Sequence, residues 1–300
     1  MSETNALPTT LVEAIRYYSD LDICTEFVAK LRWTHGPVCP RCGSVEHSYL
    51  TTRRLWKCKG CKKQFSVKLG TIFEDSPLGL DKWLPAIWLI ANSKNGISSH
   101  ELGRALGITQ KSAWFMLHRI RLAMQTCTFE KLGGAVEVDE TFIGGKARNM
   151  HRDRRQGQDC VVGLKQRDGE VRAAVVSDRT RATLHGHVTD HVAPGATVYT
   201  DALESYSGLS ETFAHETVDH AERYVEGNIH ANGIENFWSL LKRGLNGTYV
   251  SVEPFHLFRY LDERLFAFNR CNQDDYSRFE AVLRAVSGRP LTYAGLTGQR

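Results

Sequence analysis

No stretch of this 300-residue chain is long and apolar enough to span a bilayer. The longest apolar run, Trp83 to Ala91, is short and is broken by Pro85. The opening residues, Met1-Ser-Glu-Thr-Asn-Ala-Leu-Pro, lack the basic start and apolar centre of a secretory leader. Together these absences predict a cytoplasmic protein with no membrane partner. A strong charge of one sign is missing too. Lys and Arg number 38 against 34 Asp and Glu, a net +4, so overall charge does not by itself select a polyanion. The 42% hydrophobic content is ordinary and supports a sizeable core, and the length suggests two or three domains. Eight cysteines in a reducing compartment are expected to bind metal or pack in cores rather than form disulfides.

Acidic residues are also missing locally. Between Arg53 and Lys68 stand seven Lys or Arg and no Asp or Glu, a basic patch suited to a polyanion or simply to water. That patch overlaps the clearest motif in the chain. Cys39-Pro-Arg-Cys42 and Cys58-Lys-Gly-Cys61 are CxxC pairs separated by fifteen residues. Each pair offers two thiolates from one turn, and together they predict a closed tetrahedral four-cysteine site for one structural zinc. Short strands between them, at 48–51 and 55–57, make the region resemble a zinc ribbon. It follows a helical stretch over 10–32, broken near Ser19-Asp20, in which Cys24 reads as core packing.

Farther on, Asp81 is a candidate cap for a helix over 82–91. Ser98 or Ser99 can cap a short helix, Gly107-Ile108-Thr109 makes a turn, and Thr109 can cap a second helix through Arg121. Helix, turn and helix at this spacing predict a helix-turn-helix, with 109–113 toward the major groove. Candidate DNA contacts are Gln110, Lys111, Arg119 and Arg121 here, and Arg53 and Arg54 in the basic patch.

Gly133-Gly134 marks a boundary. After it come strands at 135–143, 159–165 and 170–176, a helix over about 180–190, and a strand at 197–200. The first strand holds Asp139 among Val136, Val138, Phe142 and Ile143, and a carboxylate there must be paired, hydrogen-bonded or metal-bound. Asp201 ends the later strand, and Glu235 opens an amphipathic helix that also carries Lys242 two turns on. Two strands and a helix, each presenting an acid, can hold two divalent cations for phosphoryl chemistry. The order of elements resembles the ribonuclease H-like fold. Glu137 and Glu140 are expected to point away from the site, and Trp238 to pack in the core or stack on a base. The stretch 146–155 carries five basic residues and one acid and reads as a mobile loop able to track phosphates or equally as a plain solvated loop. Residues 207–230, with His215, His220 and His230, read as irregular. His185-Gly-His187 lacks the central apolar residue of the histidine motif of single-strand nicking enzymes.

Val-Asp139-Glu140-Thr-Phe-Ile-Gly-Gly, Thr-Asp201-Ala and His230-Ala-Asn232-Gly-Ile-Glu235-Asn-Phe-Trp238-Ser-Leu-Leu-Lys242-Arg-Gly follow the ribbon and helix-turn-helix in order. Together these resemble the bacterial insertion-sequence transposases with a zinc-ribbon N-terminus and a DDE-type core, related to the Merlin group. The likeness runs from about residue 15 to residue 270. It implies a multidomain α+β chain: a helix and ribbon at 1–75, a helix-turn-helix region at 76–132, a catalytic core at 133–285 and a flexible tail at 286–300. It also implies double-stranded DNA as partner, both transposon ends and target, with a homo-oligomer acting on DNA. Asp139, Asp201 and Glu235 would hold two Mg²⁺ or Mn²⁺ ions, with Asn232 as the other candidate for the third ligand and Lys242 holding a phosphate. Water then cuts the transposon end, and the freed 3′-hydroxyl attacks target DNA in line, with no covalent protein intermediate. Two other classes fit parts of the pattern: a DNA-binding regulator with an inert core, and a ribonuclease H-like nuclease without integration activity.

Overall fold

The computed structural model describes residues 7–125, 129–144, 158–218, 232–250 and 252–297. It divides into two compact units, one of residues 7–125 with 272–297, the other of residues 129–271. Among the described residues no helix is long and apolar enough to cross a membrane.

The first unit begins with α1 (Leu11–Tyr17) and α2 (Leu21–Arg32), separated at the predicted break because Asp20 caps α2 through the Asp22 backbone N–H. A three-stranded antiparallel sheet follows: β1 (His47–Leu50), β2 (Leu55–Cys58) and β3 (Gln64–Phe65). Next come α3 (Leu80–Asn92), α4 (Ser99–Leu106) and α5 (Gln110–Met124). Gly79, not Asp81, stands at the N-cap of α3, and Asp81 lies inside the first turn. Trp83, Leu84, Ile87 and Trp88 bury α3 almost completely. Ser98 caps α4 by accepting from Glu101 N–H, and Thr109 caps α5 by accepting from Ser112 N–H, as the sequence predicts.

The end of the chain packs with this unit. After the second unit, Phe279 of a helix at Asp275–Arg284 meets the rings of Tyr18, Phe27 and Trp88. The stretch from 286 was expected to be a flexible tail, but the structure holds it through residue 297. Val286 accepts from Ile72 N–H, Gly288 donates to Gly70, and Leu296 is 4% exposed. Apolar anchors at Val286 and Leu296 outweigh the polar, glycine-rich composition around them.

The second unit is a five-stranded mixed sheet. Its strands are β4 (Ala135–Ile143), β5 (Asp159–Gln166), β6 (Val171–Val176), β7 (Thr197–Asp201) and β8 (Ala214–Val218), in the order β6-β5-β4-β7-β8. The first three pair antiparallel; β7 and β8 join in parallel beside β4. This is the ribonuclease H-like arrangement. β8 lies in the stretch expected to be irregular, because its sequence Ala-His-Glu-Thr-Val carries no apolar run to announce an edge strand. Alternation divides the strands between two cores. Val136, Val138, Val162, Leu164 and Val198 pack with Leu184 and Val188 of α6 (Arg181–His191). On the other face Val161 and Val171 pack with α7 (Asn232–Gly244) and α8 (Leu257–Asn269), through residues such as Ile234, Trp238 and Leu261. The remaining helices are α9 (Asp275–Arg284) and α10 (Tyr293–Thr297) of the first unit.

Candidate functional site

The cysteine site is built from two tight turns. Gly43, at φ +73°, donates to the Cys39 carbonyl, and Cys39 N–H donates to Ser44. In the second turn Cys61 N–H donates to the Cys58 sulfur at 3.4 Å, which is the leading reason that the Cys58 thiol is pulled down to about 6. All four sulfurs, of Cys39, Cys42, Cys58 and Cys61, lie within 4.8 Å of one another. Cys39–Cys61 is 3.8 Å and Cys42–Cys58 is 3.5 Å, close to the edge of a tetrahedron of sulfurs about 2.3 Å from a central zinc. The donor set fits a structural zinc, with no ligand position left open. Trp56 and Phe65 stack at 5.9 Å on adjacent strands and give the ribbon a small aromatic core.

The acids are placed by the second unit's sheet. Asp139 lies on the α7 face of β4, directly across from Gly163 of β5. A Cβ on Gly163 would stand 2.6 Å from the Trp238 ring, so the missing side chain is what lets that ring approach the strand. From there Trp238 Nε1 donates to Asp139 Oδ2 at 2.9 Å, while Glu140 N–H donates to Oδ1 at 2.8 Å. Burial pushes the Asp139 carboxyl up to about 6. The Trp238 hydrogen bond works against that shift, and the charges of Glu140 and Asp201 add to it.

Asp201 ends β7. The β4–β7 ladder stops at Glu137↔Tyr199, so Asp139 and Asp201 each stand two residues past the last pair, where the parallel strands part. Ligands bind open α/β sheets in such crevices at the carboxyl ends of strands. Glu235, in the first turn of α7, and Lys242, in its last, are both exposed. Glu235 is about 60° from Trp238 around the helix, whereas Asn232 is about 120° away. The Trp238–Asp139 bond therefore turns the Glu235 side of α7, more than the Asn232 side, toward β4. The carboxylate oxygens are not drawn together as the sulfurs are. Among the described residues the cysteines alone form a group of three or more ligand atoms within 4.8 Å.

The neighbouring acids correct the expected picture. Glu140 does face away, toward the α6 side, where it accepts from the Tyr206 hydroxyl at 2.8 Å and is pushed up by burial. Glu137 does not. Two residues from Asp139 on a strand means the same face, and Glu137 is buried there at the start of α7. Trp238 packs in the core and also serves Asp139, a role that its spacing from Glu235 did not reveal.

The helix-turn-helix closes tightly: a Cβ on Gly103 would meet the Ile108 carbonyl at 3.1 Å, and Gly107 takes φ +65° at the end of α4. Gln110 and Lys111 are exposed at the start of α5. Gln110 Nε2 donates to Ser99 at 2.8 Å, and the Lys111 ammonium lies 5.1 Å from the Tyr293 ring centre. Arg119 and Arg121 are not available to DNA. Both are buried, and Arg119 donates to the carbonyls of Ile72, Glu74 and Leu291. Arg54 makes a two-pronged ion pair with Asp22 of α2, whereas Arg53 is exposed. His215 lies on β8 with Nε2 2.9 Å from the Thr200 hydroxyl. The basic stretch 146–155, His220 and His230 lie outside the described residues.

A four-cysteine ribbon, a helix-turn-helix and a ribonuclease H-like sheet with acids at the parting ends of its central parallel strands define a protein of the DDE transposase class. Comparison with known proteins agrees. Residues 131–269 match the ISXO2-like transposase domain, and residues 21–64 match the transposase zinc-ribbon domain. The chain is 26% identical over 265 residues to an uncharacterized protein in transposable element ISH50 of Halobacterium salinarum, covering 81% of this chain and 88% of that one. It is 32% identical over 120 residues to an uncharacterized transposase-like protein of Haemophilus influenzae, covering 40% of this chain and 95% of that one. The chain belongs to the ISXO2-like transposase family.

Proposed function

We propose that this transposase binds the terminal inverted repeats of its element and carries out strand cleavage and strand transfer with Asp139, Asp201 and Glu235 as ligands of two Mg²⁺ or Mn²⁺ ions. The supporting observation is Asp139, a half-buried carboxylate where β4 and β7 part, held by two N–H donors and raised to about 6. A group in that state gains most from a cation. Its oxygen donors suit Mg²⁺ or Mn²⁺ rather than a thiolate-seeking metal. Bound divalent ions supply a sink for the charge that develops on the phosphate and lower the pKa of the attacking hydroxyl.

The chain's own residues do the rest. Trp238 and the Glu140 backbone fix both oxygens of Asp139 in one orientation. Asp201 faces it across the parted strands, and Glu235 closes the set from α7. Lys242, one turn past Trp238, holds a phosphate oxygen of the bound strand. Water attacks in cleavage and the freed 3′-hydroxyl in transfer, each in line with its leaving oxygen, so no side chain becomes covalently attached. Gln110 and Lys111 read the transposon end from the major groove, with Arg53 on a phosphate.

The test is a labelled duplex carrying the element's end, incubated with target DNA and Mg²⁺ or Mn²⁺. Metal-dependent nicking at the end followed by joined product is expected. End binding without any cleavage would favour a regulator, and cleavage of any duplex without joining would favour a plain nuclease.

A further inference from the structure

The residues that stand just before the three acids meet in one cluster. Glu137, two before Asp139, is 1% exposed. Its Oε2 accepts from the backbone N–H of Ile234, the residue before Glu235, at 3.0 Å. Its Oε1 accepts from Arg167 Nε at 3.4 Å. The Arg167 guanidinium in turn lies over the Tyr199 ring, 4.1 Å from its centre. Tyr199 is two before Asp201, and it is the cross-strand partner of Glu137 in the last pair of the β4–β7 ladder. One carboxylate and one arginine thus join β4, β7 and the first turn of α7.

A buried carboxylate is costly unless charges or donors compensate it. The α7 start and Arg167 both contribute to that compensation. First-turn N–H groups have no acceptor within their own helix, and that end of the helix is its positive end. Gly233 lets the backbone come this close, since a Cβ there would stand 2.8 Å from Glu137 Oε2. Glu137 therefore tethers the first turn of α7 at the residue before Glu235.

We propose that Glu137, supported by Arg167, is a positioning residue. It holds the first turn of α7 so that Glu235 can join Asp139 and Asp201 on the divalent ions, and it touches neither substrate nor ion itself. The inference rests on the reading of those acids as the ion ligands.

The test uses full-length, zinc-loaded protein on end DNA. It compares Glu137→Gln, Glu137→Leu, Gly233→Ala, Asp139→Asn and the core variant Val161→Ala. Two quantities are read: the Mn²⁺ concentration for half-maximal cleavage, and the dissociation constant of Mn²⁺ from the complex with uncleavable DNA, by electron paramagnetic resonance. Glu137→Leu and Gly233→Ala are expected to raise both by about tenfold or more. Glu137→Gln should stay within about threefold of wild type, because its amide oxygen still accepts from Ile234 N–H. Val161→Ala should lower thermal stability and leave both unmoved. Wild-type Mn²⁺ dependence in folded Gly233→Ala, or a Gln variant as impaired as the Leu variant, overturns the positioning role. Wild-type Mn²⁺ binding in Asp139→Asn overturns instead the ligand reading on which it rests.

Discussion

The cysteines of the ribbon and the acids proposed as ligands in the second unit differ in one respect: only the first are drawn together in the structure. Four sulfurs lie within 4.8 Å of one another, while the three acids sit on two parting strands and a helix with no such cluster. The difference follows from how each set is carried. Each CxxC turn delivers two ligands from one piece of backbone, and N–H donors such as that of Cys61 stabilise the thiolate locally. The acids come from positions 139, 201 and 235 on three separate elements, and Asp139 is raised first by burial, with the charges of Glu140 and Asp201 adding to it. One site is therefore closed by short-range geometry. The other is spread over three elements, and on the proposed reading its ions and DNA would draw it in.

Removing the metals separates the two most sharply. Zinc withdrawal should unfold the ribbon, since a structural zinc of this type contributes about 10 kcal/mol or more to the folded state. Metal analysis should find one zinc per chain, and Cys58→Ser should lose it together with ribbon structure while circular dichroism keeps the signal of the second unit. Withdrawal of Mg²⁺ should leave both units folded. A ribbon that stays intact without zinc would remove the contrast altogether.

The acids give the next largest effect. Asp139→Asn, Asp201→Asn and Glu235→Gln are each expected to abolish cleavage and joining while the fold and end binding persist, because an amide keeps the shape and loses the charge. Gel-shift and cleavage assays on one preparation check both halves. Full activity in Glu235→Gln together with a dead Asn232→Ala would transfer the third role to Asn232.

Legibility follows the same divide. Local signals were readable: the CxxC spacing, the caps Ser98 and Thr109 and the first four strands of the second unit all stand in the structure. Features that depend on distant partners were not. Gly163 looks like an ordinary glycine until Trp238, far along the chain, is seen against it. Arg119 has the look of a solvated helix charge, but the carbonyls of Ile72, Glu74 and Leu291 accept its hydrogen bonds. Glu137 could have been placed from the sequence, since a strand's period of two puts it beside Asp139 and not away from it.

Gly163→Ala tests whether the open site is nonetheless built to a tight tolerance. The added methyl would meet the Trp238 ring at 2.6 Å and the Ile234 side chain at 2.8 Å, both within a packed core. Overpacking of this kind costs about 1–3 kcal/mol, and here it should also lift Trp238 Nε1 away from Asp139. The expected result is a lower unfolding temperature with a larger loss of cleavage than Val161→Ala shows at equal destabilisation. Equal losses in the two variants would mean that the indole hydrogen bond does nothing for the site.

The smallest effect has the opposite sign to zinc removal. Asp139 has a pKa of about 6 in the folded chain, above the value of about 3.9 that an unfolded chain gives it. Between those values the folded state binds more protons than the unfolded one, so without divalent ions stability falls as pH rises from about 4 to about 6, then levels. The ionised carboxylate is thus a cost to the ion-free fold at neutral pH. Asp139→Asn removes that cost and still accepts from Trp238, at the loss of the weaker local bond from Glu140 N–H, since an amide has one acceptor oxygen. In zinc-loaded protein free of Mg²⁺, the variant should be more stable than wild type by on the order of 1–2 kcal/mol at pH 7, with the gain vanishing near pH 3.5. Added Mn²⁺ should stabilise wild type and do little for the variant, narrowing the gap. Calorimetry across that pH range, with and without Mn²⁺, measures each arm. A variant less stable than wild type at pH 7 without divalent ion would show that the half-buried acid contributes to the fold by itself, as the cysteines do only through their metal.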